Sequence, residues 1–147
     1  MEMLIGEYCN TLDEKGRILF PAKLRSVLQQ EFLMVTQGLD HCLMLFTMEE
    51  WASLNEKILG SASLFNDQKR LVLRRFIAPA QKLEFDRSGR LSIPQSLREY
   101  AGLSGECTIL GINKYMELWD SASYRDYLEK TESSFQQAAE SMSGILL

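Results

Sequence analysis

The side chains with the strongest chemistry in this sequence are arginines, and they recur in a fixed setting. Arg17 stands in Asp13-Glu14-Lys15-Gly16-Arg17-Ile18-Leu19-Phe20-Pro21-Ala22-Lys23-Leu24-Arg25. Arg90 stands in Asp86-Arg87-Ser88-Gly89-Arg90-Leu91-Ser92-Ile93-Pro94-Gln95-Ser96-Leu97-Arg98, 73 residues later. The shared skeleton is D-x-x-G-R-(apolar)-x-(apolar)-P-x-x-L-R. A guanidinium is planar, permanently charged, and matches guanine O6/N7 or a phosphate with two parallel hydrogen bonds. Lys15 and Arg17 therefore suit a nucleic-acid contact. An arginine four residues after an aspartate equally suits an ion pair that stiffens a turn, and the residues alone leave both readings open. Asp13 and Asp86, with Gly16 and Gly89, read as the turn-building residues.

Other candidates are weaker. Lys23 and Arg25 share an exposed helix surface beside the first loop, and Arg87, Arg90 and Arg98 hold the corresponding places beside the second. Lys69, Arg70, Arg74 and Arg75 suit phosphate, or better, pairing with the acidic tail of a neighbouring subunit. His41 is the one histidine, set in the turn Gly38-Leu39-Asp40-His41-Cys42, and has no second histidine to complete a zinc set. Cys9, Cys42 and Cys107 form no C-x-x-C pair, do not superpose under the 73-residue offset, and read as small thiols rather than ligands. No phosphate-binding or dinucleotide glycine fingerprint is present. Neither an enzyme, a metal centre nor a cofactor site finds support.

The elements that must carry these loops follow from the same repeat. The offset of 73 runs on without a gap, pairing Gly38 with Gly111, Leu45 with Leu118, Phe46 with Trp119 and Trp51 with Tyr124. The chain is an internal duplication. Residues 7–12 lead through an Asp–Gly turn into 17–20, which predicts a β-hairpin, with Gly16 at the φ > 0 position. Pro21 opens a short helix with Leu24, Val27 and Leu28 inward. Strands are expected at 32–37 and 42–46. Thr47 and Glu50 have capping-box spacing and open a helix with Trp51, Leu54 and Ile58 on one face. Asn66 caps a helix running to about Ile77, with Lys69, Arg70 and Arg74 on its surface. The second half repeats the plan, with a strand at 80–85, a return strand at 90–93, a helix from Pro94 ended by Gly102, and strands at 106–110 and 115–119. Ser121 to about Met142 predicts one long amphipathic helix, striped by Tyr124, Tyr127, Leu128, Thr131, Phe135, Ala138 and Ala139. The fold class is α+β, mainly β. The divisions are a first repeat at 7–51, a connecting helical segment at 52–79, a second repeat at 80–124 and a C-terminal helix at 121–142.

At 147 residues and 46% hydrophobic content, the chain can bury roughly 70% of its unfolded surface without disulfides or metals. A net charge of −4 argues against nucleic acid on its face. The charges are segregated, however: Lys69 to Arg75 is purely basic, while acids gather at Glu49, Glu50, Glu56 and from Asp126 to Glu140. Segregation lets an acidic protein present a basic face. No apolar run is long enough for a membrane span, and no signal peptide is evident, so a cytoplasmic protein is expected.

Gly6-Glu7-Tyr8, Thr11-Leu12-Asp13, Lys15-Gly16-Arg17, Pro21-Ala22-Lys23 and Arg25 resemble the opening of the MraZ family. Gly38-Leu39-Asp40, Met48-Glu49-Glu50-Trp51, Asp86 to Arg90, Pro94 and Leu97-Arg98-Glu99-Tyr100-Ala101-Gly102-Leu103 extend the resemblance over about residues 4–140. Ile5 departs from an arginine common there, and Arg87-Ser88 from Lys-Gln. The resemblance implies an AbrB-like swapped-hairpin barrel of two pseudo-twofold halves, assembled as a ring-shaped homo-oligomer. It also implies a nucleoid-associated transcriptional regulator that recognises short direct repeats in double-stranded DNA upstream of the division and cell-wall gene cluster. The expected DNA-binding residues are Lys15, Arg17, Lys23, Arg25, Arg87, Arg90 and Arg98, with no membrane, cofactor or small-molecule partner. An oligomeric scaffold or antitoxin-like module that binds a protein is the competing reading. Sign of regulation, subunit number and the half that touches bases stay open.

Overall fold

The computed structural model describes residues 3–61 and 63–146. The first half runs β1 (Leu4–Thr11), β2 (Arg17–Leu19), α1 (Ala22–Leu28), β3 (Phe32–Gln37), β4 (Leu43–Phe46) and α2 (Met48–Ser61). Then come α3 (Asp67–Val72) and a π-helical turn at Leu73–Ile77. The second half runs β5 (Gln81–Glu84), β6 (Arg90–Ser92), α4 (Gln95–Ala101), β7 (Glu106–Asn113), β8 (Tyr115–Asp120), α5 (Ser121–Lys130), α6 (Glu132–Ser141) and α7 (Ser143–Leu146).

The halves exchange strands. β1 pairs antiparallel with β7 along its whole length, from Leu4↔Asn113 to Thr11↔Glu106. Its counterpart β5 lies instead on β3, from Phe32↔Glu84 to Val35↔Gln81. β4 and β8 meet at the centre through Leu43↔Leu118 and Leu45↔Met116, giving the order β1-β7-β8-β4-β3-β5. β2 and β6 form a separate two-stranded ribbon.

This arrangement corrects the hairpin expected at 7–20. The turn forms, with Asp13 N–H donating to Arg17 O at 2.9 Å, but the two strands then part. Eight residues of β1 find a full ladder on β7, which three residues of β2 before Pro21 do not offer. In the second half Asp86 N–H donates to Arg90 O at 2.9 Å and an isolated bridge, Phe85↔Leu91, joins strand to return strand, with no longer ladder between them among the described residues. The architecture is mixed, mainly antiparallel strands, and among the described residues the six-stranded sheet keeps free edges at β1 and β5 and does not close into a barrel.

The core lies where alternating side chains of the ribbon and sheet meet α1 and α4. Ile18, Phe20, Leu91 and Ile93 from the loops' downstream arms join Leu24, Leu97, Leu33, Val35, Leu43, Leu45, Ile109 and Leu118. Capping follows the expectations: Glu50 N–H donates to Thr47 Oγ1 at 3.2 Å, Lys69 N–H to Asn66 Oδ1 at 3.1 Å, and Gly102 ends α4 with φ 62°.

Three expectations change. The helix from Asn66 switches to π geometry at Leu73, where Ala78 N–H reaches back five residues to Leu73 O at 2.9 Å. Buried Thr36 donates its hydroxyl to Phe76 O at 2.6 Å and so supplies that turn with a partner from the sheet. Lys69 is buried rather than exposed, with Nζ donating to Leu59 O at 2.8 Å. The single C-terminal helix is three segments, interrupted at Thr131 and Met142. At the first interruption Thr131 donates its hydroxyl to Tyr127 O at 2.6 Å, a bond that competes with the regular helix ladder. Tyr124 and Tyr127 pack on Trp119, whereas α6 has no buried residue. Among the described residues no helix is long and apolar enough to cross a membrane.

Candidate nucleic-acid interface

Each D-x-x-G-R loop is organised by its aspartate. Asp13 Oδ1 accepts from the backbone N–H of Lys15 (2.9 Å) and Arg17 (2.8 Å), and Oδ2 from Arg17 Nε (2.7 Å). Asp86 does the same with Ser88 N–H (2.9 Å), Arg90 N–H (2.9 Å) and Arg90 Nε (2.8 Å). Gly16 (φ 80°) and Gly89 (φ 83°) take the left-handed positions. The backbone N–H of Arg17 is the main influence holding Asp13's carboxyl below its ordinary value, partly opposed by desolvation. Asp86 is lowered in the same way, by the N–H of Arg90 first.

The ion pair and the outward-facing arginine therefore coexist. Asp13 engages only Nε of Arg17, and among the described residues no other acceptor takes the guanidinium, so its Nη edge remains available. Arg90 is held alike by Asp86. In the ribbon, Ile18 and Leu91 pair across the ladder and are fully buried, which turns Arg17, Leu19, Arg90 and Ser92 to the opposite face. With Arg17 opposite Ser92 and Leu19 opposite Arg90, the two arginines occupy diagonal corners of one small outer surface.

The loops are also tied to each other. Phe20 N–H donates to Gly89 O at 3.0 Å, and Ile93 N–H to Gly16 O at 2.9 Å. Arg25 Nε donates to Phe20 O at 3.2 Å, and Arg98 Nη1 to Ile93 O. Each guanidinium lies on the other repeat's loop glycine: a Cβ built on Gly89 meets Arg25 Cζ at 2.5 Å, and one on Gly16 runs into Arg98 Nη1.

The structure thus sorts the seven expected residues. Lys15, Lys23 and Arg87 are exposed cations with no protein partner among the described residues. Arg17 and Arg90 are half-buried and aimed from one ribbon face. Arg25 and Arg98 are occupied by backbone carbonyls and by the opposite loop. Of the α3 region, Lys69 and Arg70 are engaged within their own segment, Arg70 by Asp67 and by Leu64 O at 2.9 Å, while Arg74 and Arg75 are exposed. Sequence reasoning missed the cross-repeat packing. Arg25 and Arg98 stand at one spacing after their glycines, but spacing along the chain does not say that each arginine seeks the other copy's glycine.

Among the described residues no group of His, Cys, Asp and Glu could hold a metal ion. His41 is an exposed turn residue whose ring lies against Tyr100, with centroids 5.8 Å apart. Cys42 and Cys107 are buried, and burial raises both thiols, Cys107 to about 11, away from reactive thiolate.

Comparison with known proteins places this geometry. The model of the family described as "MraZ protein, putative antitoxin-like" matches residues 3–75 and again residues 76–145. The chain belongs to the MraZ family. Each match carries one D-x-x-G-R loop, and the junction falls inside the π turn that precedes β5. A Treponema denticola protein named "Transcriptional regulator MraZ" is 51% identical over 142 residues, covering 97% of this chain and 99% of that protein. A Treponema pallidum strain Nichols protein of the same name is 45% identical, covering 97% and 95%. MraZ proteins are transcriptional regulators and not enzymes, and this member is a transcription regulator.

Proposed function

We propose that this regulator binds double-stranded DNA through the outer face of the β2–β6 ribbon and its two flanking loops. The observation that carries the reading is the placement of Arg17 and Arg90 at diagonal corners of that face, each with its Nη edge left to a partner. A two-stranded antiparallel ribbon is of a size that enters the major groove, where guanine presents adjacent O6 and N7 acceptors. Lys15, Lys23 and Arg87 border the face as phosphate contacts, which position the duplex without reading sequence. The target is short, G-containing direct repeats upstream of the division and cell-wall gene cluster, and the protein works in the cytoplasm at the nucleoid.

One such face is small, so affinity comes from repetition. A ring of subunits offers several faces to successive repeats, and linked contacts raise effective concentration. The uncovered apolar stripe on α5–α7, including Leu128, Phe135 and Met142, supports contact between copies. The exchange of β1 and β5 between halves supports the swapped-hairpin reading, with 7–51 and 80–124 as sequence repeats that complete one another's sheet. The same stripe favours the competing reading, a scaffold or antitoxin-like module that uses DNA only incidentally.

A gel-shift titration separates them, using repeat-containing DNA, a scrambled control and two salt concentrations. Wild type prefers the repeats and weakens steeply with salt. Arg17→Ala loses preference while still assembling, with a loss of about 1–3 kcal/mol for a bidentate base contact. Equal, weak binding of both DNAs by wild type defeats the sequence-specific reading in favour of the scaffold.

A further inference from the structure

Arg25 and Arg98 have the charge of phosphate contacts and the surroundings of something else. Each belongs to the short helix behind its own loop, and each leans across the repeat boundary. The Arg25 guanidinium sits on Gly89, 2.5 Å from where a Cβ would stand, and its Nε holds Phe20 O. Phe20 in turn donates its N–H to Gly89 O. Arg98 lies on Gly16 and holds Ile93 O, while Ile93 N–H donates to Gly16 O. Only a residue without Cβ lets a flat guanidinium approach this closely, so the loop glycines serve two purposes, the turn and the seat. Behind the arginines the helices are anchored by Leu24 and Leu28 in α1 and by Leu97 and Ala101 in α4.

We propose that Arg25 and Arg98 are positioning residues that act crosswise. Arg25 sets the attitude of the 86–90 loop and hence of Arg90, and Arg98 sets that of the 13–17 loop and hence of Arg17. The two reading arginines then meet a duplex as one rigid pair with fixed separation. This rests on the DNA-binding face proposed above. Its physical basis is that a bidentate guanidinium–base contact is direction-sensitive, so a loop free to tilt loses discrimination before it loses charge attraction.

The conservative variants Arg25→Lys and Arg98→Lys test it, because lysine keeps the charge and loses the plane and the Nε donor. The first readout uses the free protein. Amide exchange followed by NMR quickens at Ser88, Gly89 and Arg90 in Arg25→Lys with Gly16 and Arg17 unchanged, and the pattern reverses in Arg98→Lys. The second uses repeat-containing and scrambled DNA. Preference falls about tenfold while the slope of log K against log[salt] stays the same, because no phosphate contact is lost. In a double-mutant cycle, Arg25→Lys adds little to Arg90→Ala and its full effect to Arg17→Ala.

A slope shallower by about 0.9 with preference intact identifies Arg25 as a phosphate contact and overturns the proposal. Exchange that rises equally in both loops, or only in the variant's own repeat, also overturns it. A crosswise exchange pattern alongside wild type that shows no DNA preference leaves the brace standing and removes the DNA-binding face. Preference in wild type with additive double mutants does the reverse.

Discussion

Asp13 and Asp86 each accept three hydrogen bonds, two from backbone N–H groups and one from an arginine Nε. These bonds favour the carboxylate and hold both groups below their ordinary value near 3.8. The sign of the linkage follows. A carboxyl whose folded value is depressed contributes stability that is fully present above the unfolded value and is lost as pH falls through the folded one. Unfolding free energy measured in urea is therefore expected to hold level in these two groups from neutral pH to about 4 and to drop below it. In the Asp13→Asn, Asp86→Asn double variant the acid limb flattens, because neither position then titrates. An unchanged acid limb assigns the acid sensitivity to other carboxylates. The ion pair and the outward guanidinium looked like alternatives in the sequence. They are compatible because the Asp uses only the inner edge of the arginine.

At the scale of elements, the helices, their caps and most strands were legible because local rules govern them. Thr47 and Asn66 cap where a polar side chain precedes an apolar stripe, and Pro21 and Pro94 precede α1 and α4. Pairing was less legible, since the turn at Asp13–Arg17 is a proper hairpin start whose arms go elsewhere. Which strand completes a ladder depends on the competing partners, and β7, the partner of β1, belongs to the other half of the chain. The crosswise seats of Arg25 and Arg98 were hidden for the same reason. The ribbon makes the exchange measurable. Ile18 and Leu91 face each other across β2–β6 and are fully buried, so Leu91→Ala opens a cavity on the ribbon face opposite Arg17 and Arg90. A loss of about 2–5 kcal/mol is expected in denaturant titration. The loss is comparable for Ile18→Ala, and their coupling in a double-mutant cycle is large because the two share one cavity. Strictly additive effects contradict the shared ribbon.

For the whole molecule, strand exchange means that neither half can complete its own sheet, and the duplication yields one structure with two similar loops on one face. What the fold leaves undone is at the C-terminus. α5 is secured by Tyr124 and Tyr127 on Trp119, but α6 beyond the interruption at Thr131 buries no residue, and Phe135 is 67% exposed. An apolar stripe of this kind contributes little to the stability of one subunit and marks a surface for a partner. Under the ring assembly proposed above, Phe135→Glu is expected to leave the circular dichroism spectrum and melting temperature close to wild type while shifting the mass found by light scattering from an oligomer to a monomer. Affinity for DNA carrying several repeats then drops by a large factor, on the order of 10²-fold or more, whereas affinity for a single repeat changes little. That split between multi-repeat and single-repeat DNA isolates avidity from base contact. If the variant stays oligomeric, α6 is not the joint, and the stripe belongs to a different partner. If it becomes monomeric and binds the multi-repeat DNA as tightly as before, one subunit's ribbon suffices, and the repetition that gives a small face its affinity lies within the chain rather than between chains.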